Sequence, residues 1–180
     1  MYLELDHSSL PISLKYTWQD SEKAFIEWGA NCGPHAIAAI TGLTLDEVRE
    51  HIGDYETKFY TNPKLMYSSL DSIGVKWTKI KDKSWPNWGL VRIQFEGPWT
   101  DPEAHWSARQ RHTHWVGSFR DKKNRLWVFD FNTFDCVDGW ISFEEWSESL
   151  IPWLIEQCEP ESYVSWYITH SIEIIPRTII

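Results

Sequence analysis

The chain has 180 residues, 42% of them hydrophobic and 24% charged, which is room for one domain, residues 1–180, whose core needs no disulfide staples. Its 17 Lys and Arg against 26 Asp and Glu give a net charge of −9, which argues against a broad basic nucleic-acid surface. No run of about 18 apolar residues exists, which excludes a membrane-spanning helix and speaks against a membrane partner.

The start, Met1 to Asp6, has neither the basic residues nor the apolar stretch of a signal peptide. Residues 2–17 then alternate loosely through Leu10, Ile12, Leu14, Tyr16 and on to Trp18, and suggest an N-terminal strand. Asn31-Cys32-Gly33-Pro34 opens a helix, with Pro34 in the first turn and Gly42 after the last. Thr44-Leu45-Asp46-Glu47 has the pattern of a capping box and starts a second helix carrying Leu45, Val48 and Ile52 on one face. A third helix is expected over 64–73, closed by Gly74.

From there the period changes. Residues 75–80, 90–95, 114–119 and 125–131 read as strands, and Asp121-Lys122-Lys123-Asn124 as the hairpin turn between the last two. Residues 142–157 carry a helical stripe through Phe143, Trp146, Leu150, Trp153 and Leu154. Residues 163–175 read as a closing strand. Helices first and antiparallel strands after is the order of an α+β fold.

The three cysteines, Cys32, Cys136 and Cys158, are widely spaced and include no CxxC, so we expect reduced thiols and a cytoplasmic chain. The 13 tryptophans allow two readings, a Trp-rich core or an aromatic binding cleft near Trp28, Trp106 and Trp115.

Cys32 carries the strongest chemical signal. A helix N-terminus favours an anion, and therefore a thiolate. Gly33 permits close approach of a substrate to the backbone. A reactive thiolate needs a base or an ion-pair partner, and His114 stands at the start of a strand. Asp130 ends the next strand, where antiparallel pairing brings it beside His114 to orient the imidazole. Asn132 is the alternative orienting residue.

The order of Cys at a helix start, His-Trp-Val on a strand and Asp or Asn after the next strand resembles the papain-like cysteine peptidases. Cys32-Gly33-Pro34-His35-Ala36 is most similar to the Cys-Gly-Pro-x-Ala of the C39-like bacteriocin-processing peptidases and related phage and bacterial proteins. The resemblance covers roughly residues 25–135. It implies N-terminal helices carrying Cys32 packed on an antiparallel sheet carrying His114 and Asp130. It further implies a thiol protease acting on a peptide or protein substrate through a thioester, without a cofactor or a metal. The family often places a Gln five or six residues before the Cys, and this chain has Ile26 and Glu27 there. Asn31 or Gln19, with the Cys32 backbone N–H, is then expected to supply the oxyanion hole.

Other readings use the same residues. Transfer of the acyl group to an amine would make the triad a transglutaminase, and attack on a Gln side chain a deamidase. An inactive binding module on the same fold is a further alternative. His112-x-His114 with His105 and Asp130 would instead suit a zinc-dependent hydrolase.

Overall fold

The computed structural model describes residues 5–105, 109, 111–133 and 138–176. The helices α1 (Trp18–Trp28), α2 (Cys32–Thr41), α3 (Leu45–His51), α4 (Tyr55–Lys58) and α5 (Pro63–Ile73) come first. The strands β1 (Lys76–Lys79), β2 (Trp88–Phe95), β3 (Thr113–Arg120), β4 (Leu126–Phe129) and β5 (Trp140–Ser142) follow. The helices α6 (Phe143–Glu145) and α7 (Ile151–Cys158) then precede β6 (Trp166–Ile175). The six strands pair antiparallel in the order β1-β6-β2-β3-β4-β5, so the fold is α+β as the sequence order indicates. Among the described residues no helix is long and apolar enough to cross a membrane.

The sheet carries a core on each face. Trp88, Leu90, Phe119 and Trp127 pack with Ile37 and Ile40 of α2 and with the other N-terminal helices. Val91, Ile93, Val116 and Val128 pack on the opposite face with Trp146, Ile151, Leu154 and Ile155. This sandwich buries every residue of β2 and explains why its sequence is close to uniformly apolar rather than alternating. α2 is likewise buried without a break from Gly33 to Ile40, the mark of a central helix.

Among the described residues of the expected N-terminal strand, 5–17, no strand forms. Residues 7–9 form a 3₁₀ turn capped by Asp6, and Leu10, Ile12 and Leu14 pack on the helices. Pro11 lacks the N–H that a strand ladder needs. The alternation therefore reports one face laid on the core, without pairing.

Behind it lies a helix the sequence reading did not anticipate, α1. Its signal was present: Thr17 and Asp20 form a capping box, with the Thr17 N–H donating to Asp20 Oδ2 at 2.8 Å, and Gly29 closes the helix at φ 72°. The expected helix over 142–157 is interrupted by a π turn at Trp146–Leu150. Pro152 has no N–H to offer the Glu148 carbonyl, and the Ile151 N–H reaches back to Trp146 instead. The hairpin turn forms as expected, with the Asp121 carboxylate accepting from the backbone N–H of Lys123 and Arg125.

Candidate active site

Cys32 opens α2 and is half-buried. The turn before it is tightly determined. The Asn31 side-chain oxygen accepts from the Gly33 N–H at 3.4 Å, and the Asn31 amide donates to the Phe59 carbonyl at 2.8 Å. Gly33 is required by a neighbour in the protein: a Cβ there would sit 2.1 Å from Thr61 Oγ1. Thr61 is in turn pinned by the Trp115 indole, which donates to its carbonyl at 2.7 Å. We therefore expect Gly33→Ala to destabilise the fold by about 1–3 kcal/mol, as overpacking does. Thermal unfolding measures it, and an unchanged Tm would mean that the Thr61 segment yields freely.

His114 is the second residue of β3 and is buried. The β3–β4 register places Gly117 opposite Phe129, so His114 and Asp130 project to one face as diagonal neighbours. His114 Nε2 lies 2.8 Å from Asp130 Oδ2. A carboxylate only accepts, so Nε2 carries the proton and Nδ1 is left for the thiol side. Asp130 has no exposed surface. It is fully engaged: Oδ2 also accepts from the Trp146 indole at 2.9 Å, and Oδ1 accepts from the Asn132 N–H at 3.0 Å and the Asn132 amide at 2.9 Å. Asn132 thus holds Asp130 and does not orient His114 itself.

The electrostatics follow from this wiring. Burial disfavours the imidazolium of His114. The Asp130 charge beside it outweighs that, helped by the charge and hydrogen bonding of Cys32, and its pKa rises to about 10. Burial likewise pushes the Asp130 carboxyl up, but the His114 charge and the hydrogen bonds from His114, Trp146 and Asn132 hold it below the usual carboxylate value. The two groups form a buried ion pair at neutral pH.

His35, one turn after Cys32, has the opposite character. Its Nδ1 lies 2.8 Å from the Asn31 carbonyl and its Nε2 2.7 Å from Ser21 Oγ. Burial lowers its pKa to about 4, so it is neutral. Phe131 stands between the two histidines, with ring centroids 5.2 Å from His35 and 6.0 Å from His114.

The remaining expected site residues are distributed differently. Trp28 and Trp115 are core side chains, each 2% exposed, and do not line an open cleft. Trp106 lies outside the described residues. Gln19 is exposed on α1, and one of the two N–H donors of the Asn31 amide goes to the Phe59 carbonyl. A cleft of about 370 Å³ does open beside the pair, but its walls are Trp18, Phe25, His35, Phe131 and Asn132. Sequence reading missed Trp18 and Phe25 because it took Trp18 as the end of a strand. Trp146 was read only as part of a helical stripe, although a buried indole N–H always asks for a partner.

The histidines of the zinc reading do not converge. His112, in the left-handed region at φ 56°, pairs with Glu159 and lies against Trp99, while His114 pairs with Asp130. Among the described residues no three His, Cys, Asp or Glu side chains gather as a metal site would require.

Comparison with known proteins finds no matching family model and no significantly similar curated protein.

Proposed function

We propose that the chain is a papain-like cysteine hydrolase that cleaves an amide or peptide bond. The observation that carries this reading is the buried His114–Asp130 pair, with Nε2 taken by the carboxylate, while Cys32 helps raise the pKa of the ring against its burial. Cys32 Sγ attacks the substrate carbonyl, and the backbone N–H of Cys32 at the helix start donates to the developing oxyanion. As the tetrahedral adduct collapses, His114 Nδ1 gives its proton to the leaving amine and a thioester remains. Water, activated by His114, then releases the acid and restores the thiol. The aromatic cleft of Trp18, Phe25 and Phe131 suits an extended peptide.

Alkylation of the native protein by iodoacetamide at about pH 6, read by peptide mass spectrometry, tests the reading. Cys32 is expected to be modified at least about tenfold faster than Cys136 or Cys158, because a charged His114 stabilises the thiolate that reacts. Equal rates would remove Cys32 as a nucleophile. A reactive Cys32 with no turnover of peptide libraries would favour the binding-module reading. Product analysis separates hydrolysis from transfer: transglutamination leaves an amine adduct, and deamidation turns Gln into Glu.

A further inference from the structure

β2 is buried throughout, and a charge sits in its middle. Arg92 is 4% exposed. Its polar partners are hydroxyls: Nη1 donates to Thr169 Oγ1 at 3.3 Å and Nη2 to Thr113 Oγ1 at 3.1 Å. Nε has no partner. Among the described residues no carboxylate lies within ion-pair distance of the guanidinium, which the other buried charge, Asp130, does achieve with His114. A guanidinium has five N–H donors, and burying one without a counter-charge is costly.

The local backbone is shaped around this side chain. The β2–β6 ladder shifts register here: Arg92 faces His170 while Ile93 faces Ile168, so Thr169 is the extra residue of a bulge. The bulge lets the Thr169 hydroxyl both accept from Arg92 Nη1 and donate to the Arg92 carbonyl. The charged surroundings add no anion. Lys79, Lys83 and Arg92 all act on His170, which burial foremost keeps neutral, with a pKa of about 4. Tyr67 and Tyr167 complete the electrostatic surroundings of Arg92, and Lys79 Nζ lies 4.1 Å from the Tyr67 ring centroid.

A run of buried neighbours links Arg92 to the segment that carries the candidate nucleophile. Arg92 pairs across the ladder with Trp115, whose indole holds Thr61, which abuts Gly33 next to Cys32. Burial pushes the Arg92 pKa down, and Cys32, ahead of Tyr167 and Tyr67, opposes that shift.

We propose that Arg92 recognises a carboxylate on the substrate, placed beside the bond that Cys32 attacks. The inference rests on Cys32 being the nucleophile. A guanidinium fork matches a carboxylate in shape and charge, and the threonine hydroxyls hold the fork in orientation. The substrate class is then an acidic peptide, with the carboxylate from an Asp or Glu side chain or from the chain terminus.

Two alkylating agents of nearly equal shape test this, iodoacetate and iodoacetamide. The ratio of their rates at Cys32 is expected to exceed that at free cysteine by about ten- to hundredfold, the worth of a charge-assisted hydrogen bond. Arg92→Gln should remove most of that preference, and Arg92→Lys should restore part of it. His114 acts on the same reagents but remains in both variants. If Arg92→Gln does not fold, protection of the wild-type thiol decides. N-acetylglycine supplies only a terminal carboxylate, N-acetylglutamate α-amide only a side-chain one, and N-acetylglutamine amide neither. Protection by one of the first two and not the third supports the proposal and identifies the source. A ratio equal to that of free cysteine, with Cys32 still selectively labelled, overturns the anion subsite and leaves the hydrolase reading standing. No selective labelling by either agent overturns both. Stronger protection by inorganic phosphate than by either carboxylate overturns the ligand class.

Discussion

Replacing His114 with glutamine is expected to lower kcat for amide hydrolysis by roughly 10²–10⁴-fold, the usual loss when a general base is removed. Glutamine is the informative choice. Its amide N–H can still donate to Asp130 in place of the imidazole, and it fills the space that alanine would leave empty; both substitutions remove the counter-charge, at a cost of about 3–5 kcal/mol. The variant has no group that takes a proton near neutral pH. The rapid alkylation of Cys32 at about pH 6 should fall in parallel. Steady-state kinetics and alkylation rates on folded protein check both. Full activity in the glutamine variant would mean that His114 only fills space.

Stability should peak near pH 6.5 and decline on both sides, for reasons set by two histidines of opposite character. Between pH 4 and 6.5 the unfolded chain carries a proton on residue 35, while the folded chain excludes it, since the His35 pKa lies at about 4. The unfolded state binds more protons, so stability rises with pH across this window. Between pH 6.5 and 10 the folded chain keeps a proton on His114 that the unfolded chain has released, since the folded value is about 10. Stability contributed by His114 is therefore complete below 6.5 and is lost as pH rises through 10. Each histidine contributes a slope of at most about 1.4 kcal/mol per pH unit. His170 adds to the acid limb in the same sense, more weakly because it is half exposed to solvent. Asp130 acts lower still: its contribution is present above the usual carboxylate value and lost as pH falls through its depressed one. Urea unfolding from pH 4 to 10 measures the profile. His35→Gln should flatten the acid limb, and His114→Gln the alkaline limb. A profile unmoved by either substitution would show that neither buried ring carries the assigned protonation state.

The order of helices and strands was legible because it depends on local signals: the Asn31 cap, the Thr44 box, the glycines after helices, and the hairpin turn at Asp121. The His114–Asp130 contact was legible too, since a short hairpin fixes which residues are neighbours. What could not be read were groups joined by long separations. The link from Asp130 to Trp146 depends on α6 and α7 folding back under the sheet, which no local pattern specifies. The burial of Trp28 and Trp115 depends on how α2 packs on β3 and how α3 joins α2 to α1. Both appear in sequence merely as aromatics near a motif. α1 is hidden for a different reason: the alternation of Leu10, Ile12, Leu14 and Tyr16 before it masks its capping box.

Asp130 receives hydrogen bonds from opposite sides, from His114 on the central sheet and from Trp146 on the helical segment beneath it. Chain economy is thereby limited. A shortened form ending after β5 would keep Cys32, His114 and Asp130, and would still lose the indole that shares the carboxylate with the imidazole. It would also open the Val116–Val128 face of the sheet to water. Solvent reaching Asp130 would screen its hold on the imidazolium and shift the working pH of the pair downward. The smallest excisable piece that keeps the pair in this setting therefore runs on through β6, the strand that sits between β1 and β2.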